Sequence, residues 1–197
     1  NHHVFCSLIS AGDRVVSIMP TYQQLYSIPE SFGADLKLLH LSEKNGFLPD
    51  LDELRALAVP GTKMICINNP NNPTGGVMDA ADLEAIAEVL RGTNIMVLSD
   101  EIYAELTYGL ERHISIATLP GMKERTIVVN GFSKAYAMTG WRLGYAVGPE
   151  PVIKVMTKIH QSCIMSAPTT SQYAAIEGLR HCEDEVQQMR NAYNQKR

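Results

Sequence analysis

Residues 126–145 read TIVVNGFSKAYAMTGWRLGY, and the change within this stretch from an apolar run to small and polar residues indicates the fold. The run from Thr126 to Val129 is short, apolar and β-branched, which predicts a strand buried on both faces. Small residues follow, so the strand delivers Lys134 into a loop, between Ser133 and the later Arg142. An amine held there can form an imine, while a hydroxyl and a guanidinium can bind a phosphate. The alternative is a surface lysine in a turn, as most lysines are.

Strand-like and helix-length segments alternate along the whole chain. Continuous apolar runs predict strands that are buried in a parallel sheet, and there is no internal repeat or low-complexity linker. The order is typical of a single α/β domain. The predicted strands are 14–19, 36–41, 63–68, 95–99, 126–130 and 142–147, and the predicted helices are 1–10, 23–31, 51–58, 80–90, 151–161, 169–179 and 183 onward.

Three helix boundaries carry clear signals in the sequence. Asp50 and Asp79 stand immediately before helical segments, at the position where a carboxylate can cap free backbone N–H groups. Gly33 follows a helical segment, where glycine readily adopts the left-handed conformation that ends a helix. These residues therefore predict where three of the helices begin or end.

Composition excludes several classes of function. The formal net charge is -4 and no basic cluster is present, so neither nucleic acid nor an anionic membrane surface is an expected partner. The apolar runs are too short to span a bilayer and no signal peptide opens the chain, so we expect a cytoplasmic protein. Four widely spaced cysteines without a C-x-x-C pair predict free, mostly buried thiols and no metal site.

Polar and aromatic residues follow several of the predicted strands. Because ligands of an open parallel sheet bind outside the carboxyl ends of its strands, we expect these residues to converge on one edge. Each has an ordinary interpretation by itself, since Asn, Pro and Gly form turns and an aspartate often caps a helix. Together they favour a binding site. The residues in question are Pro20 and Tyr22, Asn69 to Gly75, Asp100 and Tyr103, and Ser133 with Lys134.

Three ordered motifs resemble those of one enzyme family. They are N-P-x-N-P-T-G at 69–75, D-x-x-Y at 100–103 and S-K-x-x-x-x-x-G-x-R-x-G at 133–144, with a softer P-x-Y at 20–22. In these motifs the chain resembles the large domain of the class I and II aminotransferases, which are pyridoxal-phosphate enzymes of fold type I. The resemblance implies a three-layer α/β/α domain with a mostly parallel central sheet, truncated at both ends.

The resemblance also implies the chemistry of two residues. Lys134 would form the Schiff base with the aldehyde of pyridoxal 5'-phosphate. Once released, its amine would move a proton between the substrate α-carbon and the cofactor's imine carbon. Asp100 would face the ring nitrogen and keep it protonated, so that negative charge on the α-carbon drains into the ring.

Five further residues would hold the same cofactor, again by resemblance. Tyr103 and Asn72 would hydrogen-bond the phenolic oxygen of the ring, and Tyr22 would stack on its face. Ser133 and Arg142 would bind the phosphate, the arginine as a bidentate charged donor. These assignments predict that one compact site holds the ring and the phosphate together.

Gly131 departs from a common pattern of the family. Many relatives carry a serine or threonine three residues before the lysine, and this chain has a glycine there. One phosphate contact is therefore unaccounted for, and a backbone amide or a water could replace it. Gly140 and Gly144 are expected to allow close backbone approach around the same turn.

The resemblance predicts a domain division and an activity. Residues 1–182 would form the cofactor-binding domain without its N-terminal strand and phosphate loop, and 183–197 would begin a helix towards a small domain. The whole protein would be a homodimer that transfers an amino group between an amino acid and a 2-oxo acid, with 163–170 near the partner's site. The 197 residues alone would be weakly active or inactive because the substrate clamp would lie elsewhere.

Two other activities remain open at this stage. The same residues serve carbon–sulfur lyases, decarboxylases and cyclising enzymes that use pyridoxal phosphate, and the motifs do not separate these reactions from transamination. The chain could also be the cofactor-sensing domain of a transcription regulator. A winged-helix segment upstream of Asn1 in the full gene would distinguish this class of protein from an enzyme. Nucleotide binding is disfavoured because neither G-x-G-x-x-G nor G-x-x-x-x-G-K-[ST] occurs.

Overall fold

The computed structural model describes residues 1–108 and 112–196. Its centre is a six-stranded sheet in the order β2-β1-β3-β4-β5-β6, in which β6 alone runs antiparallel, paired with β5. The mostly parallel α/β prediction is therefore confirmed. The strands are β1 Arg14–Met19, β2 Asp35–His40, β3 Thr62–Asn68, β4 Met96–Asp100, β5 Thr126–Gly131 and β6 Gly144–Val147, and the helices are α1 His2–Leu8, α2 Gln24–Ser31, α3 Leu51–Leu57, α4 Ala80–Leu90, α5 Glu150–Cys163, α6 Thr169–His181 and α7 Glu183–Lys196.

Helices cover both faces of the sheet, which gives three layers. Successive strand residues point to opposite faces, so β3 sends Ile65 and Ile67 into one core and Met64 and Cys66 into the other. The first core lies against α3 and α4, and the second lies against α1, α2 and α5. Burial on both faces explains why the central strands read as unbroken apolar runs.

The predicted helix boundaries follow from local hydrogen bonds. Asp50 accepts from the backbone N–H groups of residues 52 and 53, and Asp79 forms a reciprocal capping box with Asp82. Gly33 has φ +76°, the left-handed conformation expected of a residue that ends a helix. All three boundary predictions are confirmed.

The start of the last strand was predicted wrongly. Arg142 was placed in an extended strand, but it has φ 51° and ψ 49° and closes a short 3-10 turn, Thr139–Trp141. A left-handed residue cannot continue a β-ladder, so β6 begins two residues later, at Gly144. The other strand predictions agree with the structure to within one residue at each end.

The cysteines are less buried than expected. Cys66 is buried in β3, whereas Cys6 and Cys163 are exposed and Cys182 is half-buried. Helix α1 turns Val4 and Phe5 into the core, so the neighbouring Cys6 faces outward. Within 1–108 and 112–196, no helix combines the length and the apolar character needed to cross a bilayer.

Candidate active site

Parallel pairing brings the polar loop residues to one edge of the sheet. Strands β1, β3, β4 and β5 all run in the same direction, so the segments that follow them emerge side by side. Strand β6 runs the opposite way, so the residues that precede it, including Arg142, lie at this edge too. Sheet topology thus explains why residues more than a hundred positions apart in sequence share one site.

A cavity of about 460 Å³ opens at this edge, within the range of about 300–1,000 Å³ typical of cofactor pockets. All seven residues that the sequence singled out for the cofactor line it. They are Tyr22, Asn72, Asp100, Tyr103, Ser133, Lys134 and Arg142. The structure therefore brings the whole predicted set together, although each residue's chemical role stays a prediction.

Asp100 is the buried acid of the cavity. It is the last residue of β4, only 4% exposed, and its Oδ2 accepts a hydrogen bond of 3.0 Å from the Asn1 side chain. Burial raises the pKa of the Asp100 carboxyl, and hydrogen bonds from Asn1 and the Ile102 amide partly offset that rise. A cationic N–H group placed against this carboxylate would stabilise its charged form.

Asn68 ties the ends of two strands to the loop that carries Asn72. Its side-chain amide donates to the Asp100 carbonyl oxygen at 2.9 Å, and its Oδ1 accepts from the Asn72 backbone N–H at 2.8 Å. Asn68 is 1% exposed, so both bonds are shielded from water. The buried asparagine therefore fixes Asn72 relative to Asp100.

Lys134 lies beside an aromatic ring rather than in open solvent. Its Nζ is 5.7 Å from the centre of the Tyr103 ring, and the residue is partly buried. The surrounding loop is anchored by Phe132 and Met138, which are buried in a small apolar cluster with Ala175 of α6. The surface-lysine interpretation is therefore disfavoured.

A chain of hydrogen bonds links the two groups assigned to a phosphate. The Arg142 guanidinium donates to the Thr139 carbonyl oxygen at 2.9 Å, and the Thr139 hydroxyl donates to the Ser133 carbonyl oxygen, also at 2.9 Å. Ser133 and Arg142 are thereby held on one turn. A cation and a hydroxyl so arranged can bind an anionic phosphate.

Gly131 and Gly144 face each other across the β5–β6 pair. A Cβ on Gly131 would lie 2.9 Å from the Gly144 Cα and 3.0 Å from the Leu143 oxygen. A Cβ on Gly144 would lie 3.0 Å from the Asn130 oxygen. The close approach predicted for Gly144 is confirmed. The one predicted for Gly140 is wrong, because apart from its own turn and chain neighbours no atom of the described residues lies within 4 Å of its Cβ position.

A second carboxylate lies directly after Asp100, on the other face of the strand. Glu101 is 4% exposed, and its Oε1 accepts from the hydroxyls of Ser99 at 2.9 Å and Ser115 at 2.7 Å. Its Oε2 lies 2.9 Å from Nε2 of His113. This network fastens the segment after position 112 to the end of β4, immediately behind the cavity.

Sequence reasoning missed several residues that support the site. Some could have been found, because Asn68 ends a predicted strand directly before the proline-rich motif and Glu101 adjoins Asp100. Others carried no local signal, because their contacts join distant parts of the chain. The missed residues are Asn1, Asn68, Glu101, His113 and Thr139.

Comparison with known proteins identifies the family. The family model for aminotransferase class I and II matches residues 1–197, which is the whole chain. The chain belongs to this aminotransferase family. The match extends along the whole chain, well beyond the three short motifs that carry the resemblance.

The aminotransferase relatives are similar along nearly the whole chain. A putative aminotransferase of Bacillus subtilis, YugH, is 41% identical over 191 residues, which cover 97% of this chain and 49% of that protein. An aspartate aminotransferase of Geobacillus stearothermophilus is 37% identical, over 98% of this chain and 49% of its own length. The chain therefore spans about half the length of the curated relatives it matches.

Solved aminotransferase structures share the fold. The aromatic aminotransferase from Pyrococcus horikoshii OT3 superposes with a TM-score of 0.94 at 35% identity, over 98% of this chain and 52% of that structure. The Thermus thermophilus aspartate aminotransferase with maleate gives 0.93 at 34% identity, over 98% and 51%. The sheet and its helices are thus those of fold type I.

The donor groups of the cavity fit pyridoxal 5'-phosphate, the cofactor expected for this family. The cofactor has an aldehyde, a basic ring nitrogen, a phenolic oxygen, an aromatic face and a phosphate. The cavity offers an amine at Lys134, a buried carboxylate at Asp100 and a cation at Arg142. Hydroxyl, amide and aromatic groups complete the set, so each part of the cofactor has a complementary partner.

Proposed function

We propose that the protein carrying this chain is a pyridoxal-phosphate-dependent aminotransferase that moves an amino group between an amino acid and a 2-oxo acid. The observation that carries this proposal is the convergence of an amine, a buried carboxylate and an arginine on one cavity, at Lys134, Asp100 and Arg142. Membership of the aminotransferase family supports it. No observation favours a lyase, a decarboxylase or a sensor domain over transamination.

Each residue has a defined task in this proposal. When bound, the cofactor supplies an electron sink for the bond that breaks at the substrate α-carbon. Lys134 anchors the cofactor aldehyde and, when free, carries the proton to and from the α-carbon. Asp100 keeps a proton on the ring nitrogen, where its burial strengthens the interaction between the two charges.

The remaining cavity residues orient the cofactor. Tyr103 and Asn72 hold the phenolic oxygen, and the exposed ring of Tyr22 covers one face of the cofactor. Ser133 and Arg142 hold the phosphate, with their spacing set by the hydrogen bonds through Thr139. Contacts from these residues would restrict the orientation of the bound cofactor relative to the substrate α-carbon.

The extent of the protein belongs to the same proposal. We assign residues 1–182 to the cofactor-binding domain and 183–197 to a helix that leads towards a small domain. The active form would be a homodimer in the cytoplasm, acting on amino acids and 2-oxo acids. The 197 residues alone would bind the cofactor but transfer amino groups poorly, because the chain spans about half the length of its relatives.

Covalent trapping tests the proposed anchor. The protein is mixed with pyridoxal phosphate, reduced with borohydride and digested, and the modified residue is identified by mass spectrometry. We expect the label on Lys134, its loss in Lys134→Ala, and no change in Lys154→Ala, whose side chain is exposed on α5. Label on another lysine, or none, would contradict the site.

Product analysis tests the reaction itself. The intact protein is supplied with an amino acid donor and a 2-oxo acid acceptor, and both new products are measured. Transamination yields a new amino acid and a new oxo acid in equal amounts. Release of carbon dioxide or of a thiol without a new amino acid would instead indicate a decarboxylase or a lyase.

A further inference from the structure

The arginine assigned to the cofactor phosphate occupies an unfavourable backbone conformation. Arg142 has φ 51° and ψ 49°, in the left-handed region that side chains other than glycine rarely adopt. Such a conformation persists only where surrounding contacts determine it. The contacts that hold this turn are therefore part of what places the guanidinium at the cavity.

One of those contacts comes from a helix outside the cavity. The Ser171 hydroxyl, in the first turn of α6, donates a hydrogen bond of 2.7 Å to the carbonyl oxygen of Trp141. That carbonyl belongs to the peptide that joins Trp141 to Arg142, so the bond fixes the orientation of this peptide. Ser171 is 3% exposed, and therefore water competes poorly for the same carbonyl.

The rest of the buried face of α6 rests on the same loop. Ala175 packs with Phe132 and Met138, which flank the segment that carries Lys134. One turn further on, a Cβ at Gly178 would lie 3.3 Å from the Tyr136 ring. Small residues thus let the helix lie close to the loop, and Ser171 is the member of this face that also makes a polar contact with it.

We propose that Ser171 is a positioning residue for phosphate recognition. Its hydroxyl holds the Trp141 carbonyl, and through that peptide the left-handed turn that keeps the Arg142 guanidinium at the cavity. The ligand concerned is the phosphate monoester of the cofactor, so the inference rests on the proposed function. Ser171 itself does not line the cavity, and it acts only through Arg142.

The test compares two ligands that differ only in the phosphate. Cofactor-free intact protein is titrated with pyridoxal phosphate and with pyridoxal, and binding to Lys134 is followed by absorbance. For Ser171→Ala we expect the Kd of pyridoxal phosphate to rise roughly three- to tenfold, the effect of one buried hydrogen bond, with the Kd of pyridoxal unchanged. Ser171→Cys keeps the shape and a weak donor, so its effect should be intermediate.

Ser31→Ala is the matched control. Its hydroxyl also donates to a backbone carbonyl, that of Ile28, at 2.7 Å, but on the exposed end of α2. This variant should bind both ligands as the parent does. Retained binding of pyridoxal by Ser171→Ala also shows that the variant is folded.

Two results would overturn the proposal for Ser171 alone. One is an unchanged affinity of Ser171→Ala for pyridoxal phosphate, and the other is an equal loss of affinity for both ligands. The second result would mean that Ser171 supports the whole Lys134 loop rather than the phosphate turn. If the parent protein itself fails to bind pyridoxal phosphate at Lys134, the proposed function fails and this inference fails with it.

Discussion

The glycine pair across β5 and β6 makes a quantitative prediction for Gly131→Ala. The added methyl would lie 2.9 Å from the Gly144 Cα and 3.0 Å from the Leu143 oxygen, whereas comfortable carbon contacts are about 3.5–4.0 Å. Both atoms belong to the backbone of the paired strand and its approach, so no side-chain rotation can relieve the contact. Overpacking of this kind costs about 1–3 kcal/mol.

A second effect acts against that cost. Replacing glycine by alanine restricts the unfolded chain and stabilises a protein by about 0.4–1 kcal/mol where the native conformation permits. We therefore expect the free energy of unfolding to fall by about 1–2 kcal/mol net. For a chain of this size that corresponds to a melting temperature lower by about 2–8 °C.

Urea unfolding followed by circular dichroism measures the difference, and Gly140→Ala is the control. A Cβ at Gly140 meets no atom of the described residues within 4 Å, so this variant should be as stable as the parent or slightly more stable. If Gly131→Ala unfolds at the same urea concentration as Gly140→Ala, the close approach of β5 and β6 is refuted. The side chain of a Gly131→Ser variant would make the same close contact with the backbone of Leu143 and Gly144. We therefore expect this variant to bind pyridoxal phosphate more weakly than the parent, not more strongly.

Three further predictions concern carboxylate side chains: Glu101 and Asp100 at the end of β4, and Asp79 at the start of α4. Glu101→Ala leaves the donors of Ser99, His113 and Ser115 without their acceptor, so it should lower the free energy of unfolding by about 3–5 kcal/mol. Glu84→Ala, on the exposed side of α4, should change this free energy little. Equal urea midpoints for the two variants would contradict the network. Because burial raises the pKa of Asp100 in the folded state, its ionised form destabilises the cofactor-free protein at neutral pH, and this cost vanishes below the ordinary aspartate pKa. Asp100→Asn should therefore stabilise the cofactor-free protein at neutral pH, with the gain lost in acid; a gain that is independent of pH in urea titrations would show that ionisation is not its cause. Asp79→Ala removes the capping box of α4 and should cost about 1 kcal/mol, while Asp79→Ser keeps a capping oxygen and should cost little, as compared by thermal unfolding.

The elements that sequence predicted best are those whose signals are local. Helix 80–90 and strand 14–19 have the predicted bounds, because apolar spacing and an N-cap aspartate act within a few residues. The conformation of Arg142 was not predicted by such local signals. Its left-handed turn is held partly by a hydrogen bond between Ser171 and Trp141, thirty residues apart in the chain, and no short window of sequence contains that contact.

The two glycines around the Lys134 loop show the same limit. Gly140 and Gly144 look alike in sequence, and both were expected to permit close backbone approach. Only Gly144 does so among these two, because it lies opposite Gly131 in the β5–β6 ladder, whereas Gly140 faces open space among the described residues. Strand register, rather than residue type, decides which glycine is required.

Sequence alone determined the fold class and the family resemblance. Through that resemblance it also identified seven of the residues that line the cavity. They lie together because strand ends in a parallel sheet place chemical groups at a common edge. Tertiary structure alone decided which other residues contact them. Burial raises the pKa of the Asp100 carboxyl, and a hydrogen bond from the Asn1 side chain partly offsets that rise. Asn68 ties the backbone of Asp100 to the loop of Asn72, the Glu101–His113 network supports the end of β4, and α6 holds the turn of Arg142. These features depend on contacts between segments far apart in the chain, and such contacts form only when the sheet and its helices pack together.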